Sequence, residues 1–149
     1  MSEIASKPRL SVVIPVYNVE KYVKAAVDSV LNQTVAADEI IIVDDGATDS
    51  SGELVEKLYG HYEQVTIVHT PNGGLGEARN TGTRHATGDF IYYFDSDDLL
   101  KNNLVEQFHQ ALAKDPDLDI YAFSAESFYD DEVVLSDTKM VQMPAYDRG

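Results

Sequence analysis

The sequence predicts an α/β fold, a mostly parallel, Rossmann-like sheet flanked by helices. Three observations predict it. Short apolar runs alternate with segments of about 10–15 residues whose apolar positions repeat at helical spacing, which is the pattern of βαβ units. The runs are rich in β-branched residues, as in Ile40-Ile41-Ile42-Val43. Acidic clusters follow two of them directly (Asp44-Asp45-Gly46 and Asp95-Ser96-Asp97-Asp98), at the strand ends where an open α/β sheet places its ligand.

Leu10–Pro15 reads as a first buried strand. Asn18 is expected to N-cap a helix whose face carries Val23, Ala26, Val27, Val30 and Leu31, spaced i, i+3, i+4, i+7, i+8. Glu39–Val43 is the second strand, ended by Asp44-Asp45-Gly46. Ser50 and Glu53 have the spacing of a capping box, opening a helix with Leu54, Val55, Leu58 and Tyr59 that stops at Gly60. Val65–His69 is the third strand. Pro71-Asn72-Gly73-Gly74 then breaks the chain, Leu75–Ala86 is helical, and Thr87-Gly88-Asp89 ends that helix. Phe90–Phe94 is apolar enough to read as a fourth strand buried on both faces. A further helix, Asn103–Lys114, carries Leu104, Val105, Phe108, Ala111 and Leu112 on one face and closes at Asp115-Pro116. Asp119–Ser124 reads as a fifth strand. Val133–Leu135 and Lys139–Met143 read as short strands, antiparallel at an edge, with Asp130-Asp131-Glu132 as a solvated turn.

Right-handed crossovers place the first three strands in order 3-2-1, with the fourth on the other side of the first. The switch point then lies between strands one and four. Pro15–Asn18, Asp44–Asp45 and Asp95–Asp98 should share one rim of the sheet.

At 149 residues the chain suits one domain with a sizeable core. A net charge of −15 excludes a nucleic-acid surface and docking on anionic lipid by a basic patch. Without cysteine there is no disulfide, thiol nucleophile or Cys-based zinc site, which fits a reducing cytoplasm. Met1–Arg9 has no secretory h-region, and no apolar run approaches the roughly 18 residues of a membrane span. Three carboxylates within Asp95–Asp98 repel one another, and a hard divalent cation, Mg²⁺ or Mn²⁺, would relieve them. An ordinary strand–helix turn is the alternative, because Asp and Ser are common turn and cap residues. Gly74-x-Gly76 is not a dinucleotide loop, since Arg79 stands where the third glycine belongs and the third strand precedes it. His61, His69, His85 and His109 lack metal-ligand spacing and read as surface or helix residues.

Five ordered blocks carry a family resemblance. They are Ser11-Val12-Val13-Ile14-Pro15-Val16-Tyr17-Asn18, Ser29-Val30-Leu31-Asn32-Gln33-Thr34, Ile42-Val43-Asp44-Asp45-Gly46-Ala47-Thr48-Asp49, Asn72-Gly73-Gly74-Leu75-Gly76-Glu77-Ala78-Arg79-Asn80-Thr81-Gly82, and Gly88-Asp89-Phe90-Ile91-Tyr92-Tyr93-Phe94-Asp95-Ser96-Asp97-Asp98. Together they resemble the family 2 inverting glycosyltransferases of GT-A fold, which use nucleotide-diphospho-sugar donors. The resemblance implies that Asp95-Ser96-Asp97 is the DXD motif, with Asp97 on the metal, Asp95 facing the ribose, and Asp98 a further metal-side or sugar contact. It implies that Asp45 accepts from the base N3–H, which suits uracil, that Tyr17 lies against the base, and that Pro15 and Val16 give backbone contacts. Arg79 and Asn80 become donor-side residues.

Each of these has a plainer reading: Tyr17 as an aromatic capping the sheet, Asp44 and Asp49 as turn residues, and Arg79 as an ion-pair partner of Glu77 or Asp89. The division that follows is a disordered segment at 1–9, a donor-binding α/β domain at 10–127, and edge strands at 128–149 that begin an acceptor-side region, where the chain reads as truncated. The catalytic base is expected beyond Gly149, since Glu126, Asp130 and Asp131 lack the right context. The implied acceptor is a glycan, a lipid-linked saccharide or a protein. The implied setting is cytoplasmic, with peripheral membrane attachment of the full-length protein as the alternative. A catalytically inactive nucleotide-sugar-binding or interaction module competes with the enzyme. A phospho-accepting receiver domain is remote, because Tyr121–Glu126 supplies no lysine after the fifth strand.

Overall fold

The computed structural model describes residues 7–123 and the short strand Met140–Val141. The elements are β1 (Leu10–Val16), α1 (Val23–Leu31), β2 (Glu39–Asp45), α2 (Ser51–Tyr59), β3 (Val65–Thr70), α3 (Leu75–His85), β4 (Phe90–Tyr93), α4 (Leu104–Lys114), β5 (Ala122–Phe123) and β6 (Met140–Val141). Strands one to four form a parallel sheet in the order β3-β2-β1-β4, as the crossover rule predicts.

The pleat sorts the side chains between two layers. Val12, Ile14 and Val16 of β1, with Ile40 and Ile42 of β2, join the larger core with Val23, Val27 and Val30 of α1, Val55 of α2 and Val105 and Phe108 of α4. Val13, Ile41 and Val43 face the other way, onto Ala78 of α3. That helix buries only small residues (Ala78, Thr81 and Gly82), so its backbone lies close on the sheet. No helix among the described residues is long and apolar enough to cross a membrane.

The ladder between β1 and β4 runs from Leu10↔Phe90 to Val13↔Tyr93, and the Phe94 N–H still donates to the Val13 carbonyl at 2.9 Å. Beyond it stands Pro15, which has no N–H to donate. There the two strands part while β1 stays paired to β2 as far as Val16↔Asp44. The crevice opens at this parting.

Four sequence expectations need correction. Asn18 is not an N-cap: α1 begins after Tyr22 with no side-chain cap, and the Asn18 side chain reaches the β2–α2 loop instead. The Ser50/Glu53 capping box is absent; the Ser50 N–H donates to Glu20 Oε2, and Asp49 Oδ1 accepts from the Ser51 N–H. Glu20 thus satisfies the Ser50 N–H that Glu53 would have served in a capping box.

β4 is not buried on both faces. It ends the sheet order among the described residues, Phe90–Tyr92 are half-buried and Tyr93 is 43% exposed. Phe90 packs edge-on against Phe108 of α4, and an apolar run alone does not distinguish one covered face from two. Finally, the fifth strand does not extend the parallel sheet. Ala122–Phe123 pairs antiparallel with Met140–Val141, which falls within the expected edge strand Lys139–Met143. The expected strand Val133–Leu135, with Glu126, Asp130 and Asp131, lies outside the described residues.

Candidate functional site

Where β1 and β4 part, a cavity of about 450 Å³ is lined by seven of the residues singled out from sequence: Pro15, Val16, Tyr17, Asp45, Asp95, Ser96 and Asp97. Val19, Asn72, Gly74, Leu75 and Ala78 complete it. Segments far apart in sequence converge because three parallel strands deliver their carboxyl ends to one rim.

Asp45 is the last residue of β2 and only 3% exposed. Its carboxylate accepts from the backbone N–H groups of Gly73 at 2.8 Å and Gly74 at 3.0 Å, and Asn72 Nδ2 donates to its carbonyl at 3.2 Å. A carboxylate has about four acceptor sites, so two bonds leave capacity toward the cavity. The turn it holds depends on glycine. Gly74 sits at φ +93°, and at Gly46 (φ +67°) a Cβ would lie 2.6 Å from the Asn72 nitrogen. Pro71–Gly74 breaks the chain as its composition predicts, and its Gly-Gly pair is the signal that backbone N–H groups approach a partner there.

Asp44 points away from the cavity. Its carboxylate accepts from the Ala47 N–H at 3.0 Å and meets His69 Nδ1 at 2.7 Å, while His69 Nε2 meets Glu56 at 2.7 Å. It shapes the turn after β2, as expected. His69 is an exposed strand residue, in keeping with its surface reading, and has two carboxylate partners. Hydrogen bonds to Asp44 and Glu56 lift its pKa above the ordinary value, against the opposing effect of burial. Asp49 also takes its turn role, accepting from Ser51 and from the Glu20 N–H at 3.1 Å.

Asp95, Asp97 and Asp98 are exposed and can each offer a carboxylate oxygen within 4.8 Å of the others. Burial, then the charges of Asp97 and Asp95, push the Asp98 carboxyl above its usual range. Burial and the same field, from Asp98 and Asp95, raise the Tyr92 hydroxyl. An all-oxygen, strongly anionic donor set on adjacent turn residues fits Mg²⁺ or Mn²⁺. Asp98 contributes to this cluster without lining the cavity.

Arg79 does not line the cavity. Its guanidinium reaches Asp95 Oδ1 at 3.3 Å, and its buried Nε has no hydrogen-bond partner. The alternative pairing with Glu77 or Asp89 is corrected: Glu77 is bound by Arg84 at 3.1 Å, and the Asp89 carboxylate accepts from the Arg9 N–H. Asn80, one residue further along α3, is exposed and does not line the cavity.

A family model, glycosyl transferase family 2, matches residues 11–145. The chain belongs to glycosyl transferase family 2. Over 117 residues it is 42% identical to hyaluronan synthase of Pasteurella multocida, a match covering 78% of this chain and 12% of that protein. It is 42% identical over 111 residues to glycosyltransferase GlyG of Streptococcus pneumoniae, covering 73% of this chain and 37% of that one. Among solved structures, S. aureus TarS in complex with UDP-GlcNAc aligns with a TM-score of 0.68 at 28% identity, covering 77% of this chain and 33% of that one. Mannosyltransferase PcManGT from Pyrobaculum calidifontis, in complex with GDP-Man and Mn²⁺, aligns at 0.58 and 30%, covering 64% and 29%. The family 2 chain described here therefore has the GT-A fold and spans well under half the length of these relatives.

Proposed function

We propose that this chain forms the donor half of a metal-dependent glycosyltransferase that moves a sugar from a nucleoside diphosphate sugar, a UDP-sugar, to an acceptor hydroxyl with inversion. One observation carries the reading: a single cavity is lined by Tyr17 and Asp45 and by Asp95 and Asp97. TarS with UDP-GlcNAc and PcManGT with GDP-Man and Mn²⁺ support it.

The Tyr17 ring, 47% exposed, gives a base its stacking face. Uracil presents one N–H donor between two carbonyls, and the remaining acceptor capacity of Asp45 suits that edge. Pro15 and Val16 line the adjoining wall, and Asp95 and Ser96 stand where the ribose would pass. Asp97, with Asp95 and Asp98, would hold Mg²⁺ or Mn²⁺, which neutralises a diphosphate and stabilises the charge it gains on leaving. Arg79, already paired to Asp95, adds positive charge behind the diphosphate. Asn80 has no part in this assignment. The acceptor is a glycan, lipid-linked saccharide or protein hydroxyl, and the absence of cysteine fits a cytoplasmic setting.

The test is Asp97→Ala, read by calorimetric titration with UDP with and without Mn²⁺. Asp97 is exposed, so the variant should fold as the wild type does while losing the Mn²⁺-dependent part of UDP affinity. Affinity unchanged by the substitution refutes the metal assignment.

A further inference from the structure

We propose that Asn18 is a positioning residue for the base half of the cavity, fastening the loop that carries Tyr17 to the loop that leaves Asp45. This rests on the donor-site reading above. Among the described residues Asn18 is the only non-glycine with positive φ, at 51°. Such backbone is costly for most side chains and least so for Asn and Asp, and it persists where surrounding contacts determine it.

The contacts here come from the other loop. Asn18 Oδ1 accepts from the Thr48 N–H at 2.8 Å and, more weakly, from the Asp49 N–H at 3.3 Å, while its Nδ2 donates to Thr48 Oγ1 at 3.1 Å. Three further bonds follow in the same seam. The Val19 N–H donates to Ser51 Oγ at 2.9 Å, the Glu20 N–H to Asp49 Oδ2 at 3.1 Å, and the Ser50 N–H to Glu20 Oε2 at 2.9 Å. Residues 18–20 and 48–51 are thus laced together by donors and acceptors from both sides.

The placement gives the seam its consequence. Tyr17 immediately precedes Asn18, and Asp45 lies three residues before Thr48, with Gly46 turning the chain between them at φ +67°. Both functional side chains stand on the cavity side of the seam. A base stacked on Tyr17 and hydrogen-bonded to Asp45 needs those groups at a fixed separation, and the Asn18 side chain spans the gap between their loops. The metal-side carboxylates of Asp95–Asp98 belong to a third segment, and none of the seam's hydrogen bonds reaches it. Loss of Asn18 should therefore weaken the grip on the base and leave the metal end as it was.

The experiment titrates the chain, Asn18→Gly and Asn18→Asp with UDP in Mn²⁺, and separately with Mn²⁺ alone. Glycine keeps the positive φ without strain and removes the side chain. One ordinary hydrogen bond corresponds to about fivefold in an equilibrium constant, so Asn18→Gly should bind UDP about 5- to 30-fold more weakly. Its affinity for Mn²⁺ alone should stay within about twofold of wild type. Asn18→Asp keeps the accepting oxygen and should recover most of the UDP affinity. UDP affinity unchanged in Asn18→Gly overturns the inference. So does a variant that loses Mn²⁺ and UDP affinity together and is not rescued by Asp, which marks a general structural role. A wild-type chain that binds no UDP overturns instead the donor-site reading, and this inference with it.

Discussion

Two glycines of α3 should respond to alanine with opposite signs. At Gly82 a Cβ would land inside the contact distance of Val13 Cγ1, and 3.1–3.2 Å from Val13 Cγ2 and Cβ. Val13 is fully buried and its strand is paired on both sides, to Ile41 and Tyr93. The strand cannot retreat, so the helix must. Overpacking of this kind costs about 1–3 kcal/mol, and the better helix propensity of alanine returns about 1 kcal/mol. The net for Gly82→Ala is therefore a loss of up to about 2 kcal/mol, which at its upper end is roughly 4–8 °C in Tm for a domain of this size. At Gly76, near the start of the same helix, a Cβ meets nothing within 4 Å. Only the propensity gain remains, and Gly76→Ala should stabilise by up to about 1 kcal/mol. Urea unfolding midpoints measure both. Trimming the neighbour supplies the control: in a Val13→Ala background Gly82→Ala should cost at least about 1 kcal/mol less. A Gly82→Ala protein stabilised as much as Gly76→Ala, or a cost that Val13→Ala leaves unrelieved, would refute the close approach of α3 to β1.

Two further outcomes test the sheet's polar contacts. The buried Ser11 hydroxyl donates to Glu39 Oε1 at 2.8 Å and accepts from the Gly88 N–H at 2.9 Å, so Ser11→Ala should cost about 1–3 kcal/mol by urea unfolding; a loss under about 0.5 kcal/mol would contradict it. His69, whose folded pKa is raised, contributes stability that is fully present below its unfolded value near 6.5 and is lost as pH rises through the higher folded value. The wild-type advantage over His69→Gln should fade across that window and stay below about 1 kcal/mol, because His69 is half exposed; an advantage flat with pH would contradict the assignment.

Much of the site was legible because it rests on strand order. Buried β-branched runs separated by helical patterns fix a parallel sheet, and handed crossovers bring Tyr17, Asp45 and Asp97 to one rim. The misses have separate physical causes. Asn18 and Ser50 both look like helix caps locally, yet their partners lie about thirty residues away in sequence, where no short-range pattern reaches. The Phe90–Phe94 run reads as doubly buried because composition records apolarity and not the number of faces covered. Arg79 and Asn80 are neighbours in a motif, but adjacent helical residues point about 100° apart. One therefore reaches Asp95 while the other stays on the exposed surface. The Asp45 bonds to Gly73 and Gly74 join strands β2 and β3 at their ends, a contact visible only once their register is known.

The most direct test of the donor-site account is a calorimetric titration of this chain with UDP, GDP and CDP, each with and without Mn²⁺. The account predicts that UDP binds in preference to the other two and that Mn²⁺ strengthens it. A folded chain that binds no nucleotide, or binds one equally well without metal, would contradict it.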